Sequence, residues 1–90
     1  MGLDLEVVLK KNPGAAYRIY DGQATVVLPE RAEVHVLNQV GSLVWDRIDG
    51  QRSLKRILES VLEEYEISAD ELRRDALEFV SALKEHGMVS

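Results

Sequence analysis

Two hydrophobic patterns divide this 90-residue chain, and their order restricts the fold more than any other feature. Up to residue 37, strand-forming residues predominate, and residues 33–37 alternate with the period of two that a β-strand requires. From residue 38 onward, apolar residues return every three or four positions, which indicates helices with one buried face. A small sheet is not stable alone in water, so it must pack on these helices. The patterns predict an α+β fold with a three-stranded antiparallel sheet followed by three helices.

The strand half contains a strong hairpin signal over residues 17–28. Asp21-Gly22 tolerates the two positive φ angles of a tight type I′ turn, and Pro29 ends the second strand. The third strand, 33–37, should place Val34 and Val36 on one face and its other side chains on the opposite face. If this strand lies at the edge of the sheet, its free backbone groups can accept another chain.

The helix half contains three predicted N-caps. Asn38, Ser53 and the capping box of Ser68 with Glu71 predict helices near 38–48, 53–65 and 69–86. Gly41 inside the first helix predicts the close approach of a neighbouring element. The expected core face of the third helix consists of Leu72, Ala76, Phe79, Val80 and Leu83. Three helices beside a small sheet resemble a winged helix-turn-helix.

Length and local composition predict one domain. Ninety residues are too few for two cores. Apolar residues before position 10 are followed by Lys10-Lys11-Asn12-Pro13-Gly14, which breaks the pattern. We therefore expect a flexible N-terminal arm over residues 1–16 and a single domain over 17–90.

Charge and composition exclude several functions. The net charge is −5 and no segment is basic overall, which argues against a nucleic-acid partner. The chain has no Cys, which excludes disulfides, thiolate metal sites and cysteine nucleophiles and suits a cytoplasmic location. No apolar run approaches the ~18 residues of a membrane span, so no membrane partner is expected.

The inventory of reactive side chains predicts a protein that is not an enzyme. His35 and His86 are far apart in the sequence, and no carboxylate can be placed beside them, so no metal site and no cofactor are expected. The serines lack an evident general base. Trp45 is the only tryptophan and has two open interpretations, a core residue or an aromatic anchor for a partner.

One strip of the third helix is unusual. Leu77 falls away from the expected core face and is flanked by Arg73 and Lys84. A solvated face with one stray leucine would explain this pattern. So would a binding strip for a peptide that carries apolar and acidic side chains.

Residues 17–89 carry a pattern that resembles the PqqD-like family. The pattern has a strand ending in Leu-Asn, a short helix reaching Asp-Gly, and a last helix that ends before Gly-Met-Val. The matching positions are Leu37-Asn38, Asp49-Gly50, Ser53, Ile57, Tyr65, Asp75, Phe79, Leu83, Gly87 and Met88-Val89.

The resemblance implies a non-catalytic, winged-helix-like domain called a RiPP recognition element. Such domains bind the leader of a ribosomally made precursor peptide and act as a peptide chaperone, presenting it to a modifying enzyme such as a radical-SAM protein or a peptidase. The leader adds as a strand to the third strand and lies against the third helix. Carried over to this chain, the peptide-binding residues are Val34, His35, Val36, Leu37, Arg73, Leu77, Val80 and Lys84.

Two other functions stay open from the residues alone. A DNA-binding winged helix is one, although the third helix carries Arg73, Arg74 and Lys84 against five acidic residues. The other is a structural module that dimerises through its edge strands. The expected state is a monomer or a weak homodimer.

Overall fold

Strands come first and helices second, as the two hydrophobic patterns predict. A computed structural model describes residues 5–89. The elements are β1 (Ala16–Tyr20), β2 (Gln23–Leu28), β3 (Glu33–Val36), α1 (Gln39–Arg47), α2 (Leu54–Glu64) and α3 (Ala69–Glu85), with a short 3-10 turn at Pro29–Arg31. The predicted α+β class and element order are confirmed. Within residues 5–89, no helix combines the length and apolar character needed to cross a membrane.

The sheet is antiparallel, in the order β1-β2-β3. Asp21 and Gly22 connect the first two strands with φ angles of 54° and 77°, as a type I′ turn requires. Alternate residues of β2, namely Ala24, Val26 and Leu28, are buried against the helices. One face of the sheet therefore closes the core, and the other faces solvent.

The three helices begin at the predicted caps. The Asn38 side chain accepts a hydrogen bond from the backbone of Gly41 at 2.7 Å, and Ser53 and Ser68 cap α2 and α3 in the same way. The close approach expected at Gly41 is made by α3. A Cβ atom at this position would lie 2.9 Å from Cε1 of the Phe79 ring. The small residue therefore lets α1 and α3 pack closely.

The core lies between the inner face of the sheet and the helices. Trp45 of α1 is 0% exposed, which decides its role in favour of a core residue. Ser42, one turn earlier, accepts a hydrogen bond from the Ala24 backbone at 2.7 Å and donates to the Leu37 carbonyl. This buried hydroxyl joins α1 to β2 and to the end of β3, so it holds the edge strand in place.

The N-terminal segment, for which the sequence predicts a flexible arm over residues 1–16, makes contacts with the domain. Residues 1–4 lie outside the described part of the chain, but residues 5–12 pack on the domain. The carbonyls of Leu5, Val7 and Leu9 accept hydrogen bonds from Lys55, Leu54 and Gly50 at 2.8–3.0 Å. Leu9 is 1% exposed. The reason is the alternation of Leu5, Val7 and Leu9, which turns one side of the segment toward the core. The flexibility of residues 1–16 in solution stays a prediction.

Asp49 organises the turn between α1 and α2. Its carboxylate accepts hydrogen bonds from the backbone N–H groups of Gln51 and Arg52 at 2.9 Å and from the Arg52 side chain at 3.0 Å. The backbone hydrogen bonds from Arg52 and Gln51 lower the pKa of Asp49 to about 2. The ionised carboxylate is thus the form that the folded state favours.

We expect this turn to weaken in acid. A carboxyl group with a lowered pKa in the folded state stabilises the fold above its unfolded pKa, and this contribution disappears as the pH falls toward about 2. The melting temperature of Asp49→Ala should therefore lie below that of wild type at pH 6, and the gap should narrow at pH 2.5. Asp49→Asn keeps one acceptor oxygen and should show a smaller gap at pH 6. A difference in melting temperature between Asp49→Ala and wild type that does not change with pH would contradict a lowered pKa at Asp49.

Candidate functional site

The edge of the sheet at β3 is the first part of the candidate site. Among residues 5–89, β3 pairs with β2 alone, so its other backbone edge is unpaired. Val34 and Val36 project from the outer face and are 64% and 63% exposed. Glu33 and His35 are half-buried on the inner face. The alternation of side chains predicted for this strand is therefore confirmed.

Leu37 follows β3 directly and is a buried residue of the core. It is only 8% exposed, and its backbone N–H donates to the Ala24 carbonyl at 2.8 Å. Its side chain faces the core because it continues the inner-face alternation of the strand. Leu37 therefore anchors the end of β3, where the resemblance suggested a peptide contact.

The strip on α3 is the second part of the candidate site. Leu77 is half-buried, and Arg73 and Lys84 are exposed. Val80, the fourth α3 residue expected to contact the peptide, is 0% exposed. The buried residues of α3 are Leu72, Ala76, Val80 and Leu83.

Val80 therefore lies beneath the surface. The core face of α3 is centred closer to Val80 than the sequence predicts, and Phe79 is half-buried instead of fully buried. The reason is the packing of the Phe79 ring against Gly41 on α1, which sets the rotation of the helix. The strip of α3 that solvent reaches therefore consists of Arg73, Leu77 and Lys84.

A cluster that the sequence did not reveal links β3 to the C-terminal end of α3. Oε1 of Glu33 is 3.0 Å from Nε2 of His35 and 3.5 Å from Nδ1 of His86, the residue that caps the C-terminus of α3. The two imidazole rings are 4.8 Å apart. The expectation that no carboxylate lies beside the histidines is therefore wrong. The i, i+2 spacing of Glu33 and His35 placed them on one strand face, but nothing local pointed to His86.

The charge of Glu33 is stabilised by its surroundings. The pKa of Glu33 is held below its usual range first by the hydrogen bond from His35 and then by favourable electrostatic interactions with His86, His35 and Arg31. The Arg31 guanidinium itself lies against the backbone of Gly87, just beyond α3. The cluster thus joins the edge strand to the C-terminal end of α3.

Comparisons with known proteins agree with this architecture. Residues 24–89 match the family model of coenzyme PQQ synthesis protein D, PqqD. The fold is similar to that of TbiB1, solved in complex with the TbiA(beta) leader peptide, with a TM-score of 0.79 and 18% identity over 90% of this chain and 94% of that one.

A second similar structure is a lasso peptide synthetase B1 complexed with the leader peptide. It has a TM-score of 0.77 and 23% identity over 93% of this chain and 99% of that one. No protein with a curated description matches the sequence. At these identities the two structures establish the fold, whereas the family model spans residues 24–89, well over half of the sequence, and on that match the chain belongs to the PqqD family.

Proposed function

We propose that this protein binds the leader segment of a ribosomally made precursor peptide and presents it to a separate modifying enzyme. The observation that carries the proposal is the unpaired backbone edge of β3 in a member of the PqqD family. Two proteins with the same fold have been solved with leader peptides, which supports the same use of the fold here. A radical-SAM enzyme or a peptidase would be the partner that acts on the bound precursor.

The leader adds to the sheet as an extended strand along β3. Backbone groups of the added strand pair with the free N–H and C=O groups of β3, which supplies affinity for many sequences. Alternate side chains of an added strand point to opposite faces of the sheet. One set would lie on the outer face beside Val34 and Val36, and the other would point inward beside His35. Val34 and Val36 would therefore contact one set of leader side chains and His35 the other.

Sequence preference comes from the strip on α3. Leu77 offers an apolar contact, and Arg73 and Lys84 offer positive charge on either side of it along the helix. A leader segment with a leucine-like side chain near acidic residues would complement this arrangement. The exposed cations mainly select the partner, because ion pairs in contact with water contribute little free energy.

The hydrogen bonds of four serine side chains are consistent with a binding role without catalysis by this chain. Several serine side chains are engaged with backbone groups of their own fold, where they cap helices or join elements. These are Ser42, Ser53, Ser60 and Ser68. A nucleophilic serine needs a neighbouring base in place of such backbone partners.

Titration with a leader peptide tests the proposal. The probe is a synthetic peptide copied from the N-terminal part of a short precursor gene beside the gene for this protein. Leu77→Asp should weaken binding by at least ~2 kcal/mol, because it places a charge in the apolar contact. Ala82→Asp adds the same charge to an exposed position on the opposite side of α3 and should bind like wild type. A folded Leu77→Asp protein that binds the peptide with wild-type affinity would exclude this strip as part of the leader-binding surface.

The cations should respond differently. We expect Arg73→Ala to lose about 0.2–1 kcal/mol of binding free energy, and this loss should shrink at high salt because the charge is exposed. Arg74→Ala removes an adjacent exposed cation outside the strip and serves as the control. Calorimetric titration at two salt concentrations measures the binding free energy of both variants. A loss at Arg73 that does not depend on salt would exclude a rim ion pair.

Amide hydrogen exchange tests the edge strand separately. Adding the peptide should slow exchange at the alternate residues of β3 whose N–H groups point away from β2, since these free groups become paired. A mobility-shift assay with DNA at low salt tests the competing function. Retarded DNA together with unchanged exchange in β3 would favour a DNA-binding winged helix over a leader-binding domain.

A further inference from the structure

We propose that Glu33, His35 and His86 form a three-ligand binding site for a divalent transition-metal ion such as Zn²⁺. One carboxylate oxygen and one nitrogen from each imidazole face one another, and all three atoms lie within 4.8 Å of each other. Two imidazoles and one carboxylate are a ligand set that zinc uses in open sites, where a water fills the fourth position.

The spacing of the donor atoms fits a small tetrahedral ion. Metal–ligand bonds of about 2.0–2.1 Å place neighbouring ligand atoms roughly 3.3 Å apart. Glu33 Oε1 lies 3.0 Å from His35 Nε2 and 3.5 Å from His86 Nδ1, close to that value on both sides. All three donor atoms lie within 4.8 Å of one another, so the imidazole rings need only small shifts to bring every pair of donors to about that spacing around the ion. Side-chain motion within this half-buried cluster is therefore sufficient.

The position of the three residues in the fold gives the ion a structural effect. Glu33 and His35 share one face of the edge strand, and His86 caps the C-terminus of α3. An ion bound by all three would tie β3 to the end of α3, two elements far apart in the sequence. Their side chains are 26–45% exposed, so an ion could enter from solvent without unfolding the domain. The positive Arg31 nearby opposes this binding and limits its strength.

Titration with ZnCl₂ at pH 7.5 tests the site in the full chain without a histidine tag or peptide. We expect one ion per chain with a dissociation constant below about 1 mM. His35→Asn, His86→Asn and Glu33→Gln should each weaken binding by about tenfold or more, because each removes one of three ligands. Glu85→Gln changes the exposed carboxyl group next to His86 in the sequence and should bind Zn²⁺ like wild type.

Three further measurements on the wild-type protein keep the test independent of variant folding. The wild-type protein with Co²⁺ should show the strong visible absorption of a four-coordinate ion, and Zn²⁺ should raise its melting temperature. On adding Zn²⁺, the NMR signals of His35 Nε2 and His86 Nδ1 should shift together. Wild-type protein that binds no Zn²⁺ below about 1 mM, or unshifted imidazole signals at saturation, would overturn the proposal. Because no peptide is present, either result leaves the leader-binding function untouched.

Discussion

Replacing Trp45 by alanine is expected to lower the free energy of unfolding by about 3–5 kcal/mol. Trp45 is 0% exposed and is the bulkiest fully buried side chain of the core. Its ring also meets Tyr17 edge-on, with centroids 5.5 Å apart. Alanine would remove this buried surface and leave a cavity between α1 and β1. The loss is a large fraction of the roughly 5–15 kcal/mol that stabilises a typical domain.

Urea unfolding followed by far-UV circular dichroism measures this loss, since the variant has no tryptophan fluorescence. Tyr20→Ala is the matched control because Tyr20 is 81% exposed, and a surface change of this kind should stay within about 0.5 kcal/mol. Trp45→Phe should lower the free energy of unfolding by less than Trp45→Ala does. It keeps much of the ring volume and removes Nε1, which has no hydrogen-bond partner among the described residues. An alanine variant within about 1 kcal/mol of wild type would contradict the described core.

Leu9→Ala is expected to lower the free energy of unfolding by about 2–5 kcal/mol, as a substitution at a central core position would. Leu9 is 1% exposed, and its carbonyl accepts a hydrogen bond from Gly50 at 3.0 Å. If residues 1–16 were a mobile arm, the same substitution would be nearly neutral. The experiment therefore separates a docked N-terminal segment from a flexible one.

Val8→Ala provides the control for Leu9. Val8 is 42% exposed, as expected for the opposite side of an extended segment, so it should lose far less stability. Hydrogen exchange offers a second measurement, since the amides of Leu54 and Lys55 donate to the N-terminal segment. Equal, small losses at Leu9 and Val8 with fast exchange at both amides would establish the flexible arm.

Local chemistry explains why most of the fold could be predicted. The turn at Asp21-Gly22 depends on two residues that tolerate positive φ. The starts of α1, α2 and α3 depend on the side chains of Asn38, Ser53 and Ser68, each bonded to a backbone N–H three residues later. Such signals lie within a few residues of the structure they specify. They are therefore visible before any long-range contact is known.

The candidate site was only partly predictable. The exposure of Val34 and Val36 follows from strand alternation, and the exposure of Arg73 and Lys84 follows from helix periodicity. Val80 sits near the boundary between the core face and the strip, where a small rotation of α3 decides whether it is exposed. The ring of Phe79 against Gly41 determines that rotation, and this contact joins two helices.

Local signals in the sequence are enough to predict the class of fold, the order of its elements, their caps and the sides on which their apolar residues lie. These properties depend on interactions between residues a few positions apart, and the spacing of residue types along the sequence indicates such interactions. The burial of Leu9 in the core and the position of β3 at the edge of the sheet become visible only in the folded structure. The same holds for the approach of His86 to within 3.5 Å of Glu33. These contacts join residues distant along the chain, and their geometry depends on how the whole core packs.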